Sequence, residues 1–245
     1  MYLVAIGEIF LKGKNRITFE RKLIKNIREA LNLEANEIIK FRNRYLVLKD
    51  SSISNLNKVF GIVFYVKCIK SDLDKIDDTA LSLISNEKTF RVSAKKSIML
   101  KKSSMDLNES IGSYILDKKP NLKVDLENPD IDIKIEELGN KAFFYKGKDI
   151  IKGLGGLPVG TAGFVHLRVN NEINSTVTGF LLMKRGCVIA LSRDLPLLHK
   201  FEYGFKLRIR EEKQEDISAL DETFEDLDLN EDSKFILRPL IGYSD

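Results

Sequence analysis

Between Ile17 and Leu31 the apolar residues Phe19, Leu23, Ile27 and Leu31 recur every four positions, while Arg21, Lys22, Lys25 and Arg28 fall on the other side. That spacing gives a helix with one apolar face, and such a face needs a sheet or another helix to cover it. The neighbouring segments supply strands. YLVAIGEI precedes the helix; EIIKF and RYLVLK follow it, separated by a short polar turn. ISNLNKVF then reads as a second helix and IVFYVKCI as a last strand. The order β-α-β-β-α-β restricts the first segment to a split βαβ, ferredoxin-like arrangement. We place this unit at residues 1–72.

A polar stretch, SDLDKIDD (71–78), marks the end of that unit. Beyond it TALSLIS reads as helix and TFRVSAKKS as a strand. Ser103-Ser104-Met105-Asp106 has the form of a capping box opening the helix MDLNESIGSYIL. VDLENPDIDIKIEEL and KAFFYKG read as strands joined through Gly139-Asn140, a hairpin signal. We assign residues 73–160 to this second unit. The glycine-rich connector GLGGLPVGTAG (153–163) leads into a third, residues 161–245, which opens with a strand, a turn and a helix ending at a glycine. The expected class is α+β for the first two units and α/β for the third.

With 43% hydrophobic and 31% charged residues over 245 positions, the chain is expected to bury real cores. The longest apolar run, Val59–Val66, is far below the ~20 residues of a membrane span. Glu8 comes too early for a signal peptide. A soluble, cytoplasmic protein without a membrane partner is expected. Cys68 and Cys187 form no C-x-x-C, and His166 and His199 lie near neither cysteine, so no metal site is expected. Charge is unevenly spread. Residues 1–160 hold 29 Lys+Arg against 21 Asp+Glu, and residues 161–245 hold 11 against 15. The basic part suits a polyanion. The acidic stretch 211–232, with eleven carboxylates and one lysine, reads as a solvated helix or loop.

Two basic clusters stand out as candidate RNA contacts. Lys12, Lys14 and Arg16 surround Gly13 in the loop before the first helix. Arg91, Lys95, Lys96, Lys101 and Lys102 lie at the end of a strand and before a helix N-terminus. Lysines, arginines and free amides on loops supply the phosphate contacts of sequence-independent nucleic-acid binding. GLGGLPVG departs from the phosphate-binding pattern G-x-x-x-x-G-K-[ST] and reads as a constrained connector. His199 reads as a surface or packing residue. Phe10, Phe90, Phe143, Phe144 and Tyr145 are aromatic enough to stack bases, but their alternating strand positions place most of them in cores.

GEIFLKGKNRITFERKLIKNI resembles the N-terminal ferredoxin-like domain of the tRNA 4-thiouridine synthetases, or tRNA sulfurtransferases. FRVSAKKS, the Ser-capped helix with Gly112, NPDIDIKIE and FFYKGKDIIKGLGGLPVGTAG resemble the THUMP domain of the same family. The resemblance runs from Met1 to Gly163. It implies that the two domains hold a tRNA acceptor stem and its single-stranded 3′ end. In the family a third domain, of PP-loop type, activates a uridine with ATP before a persulfide sulfur is transferred.

The stretch LPVGTAGFVHLRVNNEINSTVTGFLLMKRGC fits the family's third domain without gaps, yet the signature SGGxDS is altered. Its six positions are Asn170, Asn171, Glu172, Ile173, Asn174 and Ser175, and only the last serine is kept. Glycines let backbone approach a pyrophosphate; Glu172 brings bulk and negative charge instead. ATP binding is therefore not expected, and the third unit reads as a degenerate, truncated PP-loop-like domain. No cysteine follows Cys187 to carry sulfur.

These readings give an expected tRNA-binding protein associated with tRNA modification, without adenylation or sulfur-transfer activity of its own. It would present tRNA to a separate modifying enzyme. The alternative is a divergent tRNA sulfurtransferase that makes 4-thiouridine with a partner subunit supplying the ATP site. A third reading makes the reduced third unit an oligomerisation surface. A homodimer is expected by the family resemblance alone.

Overall fold

The computed structural model describes residues 1–49, 53–223 and 236–241, with Phe10 and Leu11 described by their backbone alone. The chain divides into two compact units. One comprises Met1–Val4, Ile39–Asp50 and Tyr65–Ile151; the other comprises Ala5–Ile38, Ser51–Phe64 and Lys152–Asp245.

The N-terminal elements are β1 (Tyr2–Ile6), α1 (Arg16–Leu31), β2 (Ile38–Lys40), β3 (Arg44–Val47) and β4 (Ile62–Lys67). Leu23, Ile27 and Leu31 of α1 are buried, as the four-residue spacing requires. With β10 (Ile151–Lys152), the strands lie in a sheet of order β10-β4-β1-β3-β2. The helix expected over ISNLNKVF is only a 3-10 turn, Ser54–Lys58. Ser and Asn compete with the helix for backbone hydrogen bonds, and Val59 is already extended.

IVFYVKCI is divided at Cys68. Its second part begins β5 (Ile69–Asp72), which pairs antiparallel with β9 (Lys141–Lys146) from Ile69↔Phe144 to Asp72↔Lys141. The polar stretch SDLDKIDD accordingly closes a strand and opens α2 (Ile76–Ser82), which starts earlier than the apolar pattern suggested. There follow β6 (Thr89–Ala94), α3 (Ser104–Lys118), β7 (Lys123–Val124), β8 (Ile131–Leu138) and β9 (Lys141–Lys146). Ser103 Oγ accepts from the Asp106 amide at 3.1 Å while the Asp106 carboxylate accepts from the Ser103 amide at 2.9 Å, the reciprocal capping box the sequence predicts. Gly139, at φ +65°, turns β8 into β9.

The expected strand VDLENPDIDIKIEEL is broken instead. Asp125 accepts from the amides of Glu127 and Asn128, and this side-chain turn separates β7 from β8. The sheet order is β5-β9-β8-β6-β7. Phe90, Ile111, Ile115, Ile131, Ile133 and Phe144 form the centre of its core.

After β10 (Ile151–Lys152) come β11 (Phe164–Leu167), α4 (Glu172–Lys184), β12 (Val188–Leu191), β13 (Arg208–Ile209), β14 (Ile217–Ala219) and β15 (Ile236–Leu237). The order β13-β12-β11-β14-β15 is parallel at every pairing. Parallel neighbours need crossovers, and α4 is the crossover from β11 to β12. Leu167, Leu182, Met183, Ile189, Leu191 and Leu198 pack between α4 and the sheet. The helix stops at Gly186, whose φ of +92° favours glycine.

Candidate functional site

The turn between β11 and α4 lies at the C-terminal end of β11, where α/β sheets usually bind ligands. Here most of the turn's amides are already engaged. Asp221, following β14 and 4% exposed, accepts the Asn171 amide at 2.8 Å and the Asn170 amide at 3.3 Å. Its other oxygen accepts from the Asn170 side chain at 3.1 Å. The fully buried Ser175 hydroxyl donates to the same oxygen as the two amides.

Asn171 caps α4: its side-chain oxygen accepts from the Ile173 and Asn174 amides at 2.9 and 3.1 Å. The Val169 amide goes to Ser192 Oγ at 2.8 Å. Glu172, exposed in the first turn, favours the helix dipole. An incoming phosphate would meet that carboxylate and would have to displace a second, buried one. The residues present therefore do not fit a nucleotide triphosphate.

Sequence reasoning missed Asp221, because it sits within the acidic stretch expected to be solvated. The structure corrects that expectation up to Thr223. Glu212 pairs with Arg168 at 2.6 Å, and Arg210 holds Asp216 through two 2.8 Å contacts. Glu222 pairs with Arg238 at 2.7 Å. The Arg210 guanidinium brings the Asp216 carboxyl down to about 2. Residues 224–232 of the stretch lie outside the described residues. Arginines scattered through 168–238 were the available signal.

The glycine-rich connector is a strut. The amides of Gly160, Thr161 and Ala162 all donate to the Gly186 carbonyl, at 2.8 to 3.1 Å. A Cβ on Gly156 would lie 2.3 Å from the Lys184 carbonyl oxygen. Close approach of backbone to backbone, rather than phosphate, accounts for Gly153 and Gly156, and a positive φ accounts for Gly155, Gly160 and Gly163.

The basic residues divide between the two units. In the compact unit that includes Ala5–Ile38, Lys12 lies 5.4 Å over the Phe19 ring, Lys14 is exposed, and Arg16 pairs with Glu20 at 2.7 Å. In the one that includes Tyr65–Ile151, Lys96, Lys101 and Lys102 are exposed on the loop between β6 and α3. Arg91 has a structural task. It donates to the Leu126 carbonyl at 2.6 Å and pairs with Asp132 at 2.5 Å. Although burial opposes it, bonding from Arg91, Ser93 and Lys134 brings the Asp132 carboxyl down to about 2.

Lys95 reaches Glu136 at 2.8 Å with its side chain about half exposed. Glu136 is buried and also accepts from Arg44 at 2.9 and 3.2 Å and from the Tyr145 hydroxyl at 2.7 Å. Burial alone would raise the Glu136 pKa, but Lys95 and Arg44 bring it below the ordinary carboxylate range. Burial, followed by the Glu136 charge, pushes the Tyr145 phenol up.

Phe90, Phe143, Phe144 and Tyr145 are all in cores; the side chain of Phe10 lies outside the described residues. His199 is held by Asp194 at 2.7 Å and by Glu202 at 3.4 Å. Burial pushes the Cys68 thiol up to about 11 and the Cys187 thiol upward. Among the described residues no group of His, Cys, Asp and Glu could hold a metal, and no helix is long and apolar enough to cross a membrane.

Comparison with known proteins bears on what this geometry serves. The ThiI ferredoxin-like domain matches residues 1–65 and the THUMP domain matches residues 70–145. A protein of Natranaerobius thermophilus named probable tRNA sulfurtransferase is 36% identical, over 89% of this chain and 56% of its own length. One of Coxiella burnetii with the same name is 36% identical, over 82% of this chain and 54% of its own. The chain thus spans about half the length of these curated relatives.

Among solved structures, PH1313 from Pyrococcus horikoshii is 29% identical with a TM-score of 0.80, covering 100% of this chain and 95% of that one. A 4-thiouridine synthetase, solved as an RNA complex with bound ATP, is 30% identical with a TM-score of 0.62. That match covers 78% of this chain and 51% of the synthetase.

The relatives overturn the expectation of a tRNA-binding protein that stands outside sulfur transfer. Proteins of that name align with most of the chain at 34–39% identity, and the alternative reading is the one they favour. The chain joins a ThiI ferredoxin-like domain to a THUMP domain, carries a C-terminal α/β region similar to that of a 4-thiouridine synthetase, and is a homologue of the proteins named tRNA sulfurtransferases.

Proposed function

We propose that this chain takes part in making 4-thiouridine in tRNA, as a divergent sulfurtransferase that supplies the RNA-holding domains while a partner subunit supplies the ATP site. Homology to tRNA sulfurtransferases supports the reaction class. The division of labour rests on one observation: the Asp221 carboxylate already occupies the amides of the turn that would receive a nucleotide. In this reading the chain carries out no phosphate chemistry at that turn, and Asp221 serves to hold β11, β14 and α4 in register.

The tRNA is the proposed substrate, and Lys12, Lys14, Lys95, Lys96, Lys101 and Lys102 are its proposed phosphate contacts. Arg16 and Arg91 support the loops behind them, through Glu20 and Asp132. The protein is proposed to act in the cytoplasm, where its substrate is. The test is nucleoside mass spectrometry on tRNA from a strain lacking the gene. Loss of 4-thiouridine, restored by the wild-type gene, supports the proposal; an unchanged level refutes it.

A further inference from the structure

The last turn of α4 borders a cavity of about 620 Å³. Leu181, Leu182, Leu237 and Pro239 give it apolar walls, Gly156 lines one side, and Cys187 adds a thiol. Lys184, Arg185 and Arg238 bring three cations to the same lining, against the carboxylate of Glu8. All of these residues belong to one compact unit. A cavity of this volume suits a small molecule.

Backbone bonds fix the walls. Arg185 N donates to the Leu181 carbonyl at 3.1 Å, Cys187 N to Leu182 O at 3.1 Å and Gly186 N to Met183 O at 2.8 Å. The Lys184 carbonyl accepts from Leu157 N at 2.9 Å. A helix leaves its last four carbonyls without partners inside the helix, and basic side chains nearby often answer them. Here amides do so instead. The Lys184 and Arg185 side chains are exposed and have no ion-pair or hydrogen-bond partner among the described residues. Arg238 is held by Glu222 at 2.7 Å, with its side chain only 16% exposed. Burial pushes the Cys187 thiol upward, so it stays protonated and adds no negative charge.

A fixed apolar chamber with uncommitted cations in its lining selects its occupant. A neutral apolar molecule would leave the two cations unused, and a bare inorganic anion would leave the leucines wet. We propose that this cavity binds a small amphipathic anion. Its apolar body lies against Leu181, Leu182 and Leu237, and its carboxylate or phosphate head meets Lys184 and Arg185. Arg238 adds positive charge from the wall. The occupied cavity ties α4 to the connector and to the segment after β15, so binding stabilises the folded state by mass action.

The test is calorimetric titration of octanoate, octyl phosphate and octanol into the full chain, below their micelle thresholds. Either anion is expected to bind about tenfold tighter than octanol, and the tighter of the two identifies the head group. Cys187 reports the location. With the anion at about ten times its Kd, modification of Cys187 by N-ethylmaleimide, read by peptide mass spectrometry, should slow about tenfold. Lys184→Ala with Arg185→Ala should reduce both anions to the affinity of octanol and leave octanol unchanged. Cys187→Phe, which fills the chamber, should remove binding of all three. Circular-dichroism melting checks that each variant folds, and if Cys187→Phe does not, protection of Cys187 in wild type decides.

Equal affinity for octanol and both anions would overturn the proposal, as would unchanged anion binding in the Lys184/Arg185 variant. Binding that leaves Cys187 modified at its free rate would put the ligand elsewhere and overturn it too, and so would no binding of any probe. If tRNA slows Cys187 modification and none of the three probes does, the cavity serves the nucleic acid and the proposal is wrong.

Discussion

The Asn171 amide donates to the Asp221 carboxylate at 2.8 Å, across fifty residues of sequence and between the helix that follows β11 and the end of β14. The same carboxylate holds Asn170 and Ser175. A turn placed where α/β sheets usually open to a ligand is thereby closed from within. Of these donors the Ser175 hydroxyl is fully buried, and a buried donor left unpaired costs about 1–3 kcal/mol.

Asp221→Ala should consequently destabilise the protein. Asn170 and Asn171 are exposed enough for water to replace the lost acceptor, but Ser175 is not. An expected loss of about 2 kcal/mol in urea unfolding follows. Unchanged stability would show that the Asp221 contacts do not secure the turn.

Glu136 gathers Arg44, Lys95 and Tyr145 on one buried carboxylate. Removing the acceptor leaves a half-buried guanidinium and a buried phenol without it. Glu136→Ala is expected to cost about 3 kcal/mol, lowering Tm by about 5–10 °C. A Tm equal to wild type would mean that solvent already satisfies these groups.

Asp132 makes stability depend on acid. Its folded carboxyl lies at about 2 against an ordinary 3.8, so its contribution is fully present above the ordinary value and is lost as pH falls toward 2. Asp132→Asn should cost on the order of 2 kcal/mol at pH 7. The difference from wild type should shrink through the window from 3.8 to about 2. Urea unfolding of both proteins at several pH values measures it; a pH-independent difference would contradict the assignment.

His199 is displaced the other way. The bond to Asp194, opposed by slight burial and aided by Glu202, raises its folded pKa above 6.5. The stabilising charge is present below the unfolded value and is lost as pH rises through the folded one. A histidine NMR titration should give a midpoint above 6.5 for wild type and a lower midpoint for Asp194→Asn. Coinciding curves would remove Asp194 as the cause.

Much of this was legible in the sequence because the signals were local. Phe19, Leu23, Ile27 and Leu31 set α1, Ser103 and Asp106 set the start of α3, and Gly139 set the hairpin between β8 and β9. Where partners were distant the sequence was silent. Asp221 lies 46 residues from Ser175, and nothing around it separates a buried acceptor from its solvated acidic neighbours. Arg91 likewise read as a free cation, because Asp132 is 41 residues away. ISNLNKVF failed for the opposite reason: its pattern is helical but its Ser and Asn residues favour a tight turn.

Isothermal titration of ATP into the full chain, with and without tRNA, tests the central claim most directly. The account predicts no binding heat at the turn in either case. Saturable ATP binding that disappears when Asn171 and Ser175 are replaced by bulky residues, in protein that remains folded, would contradict it.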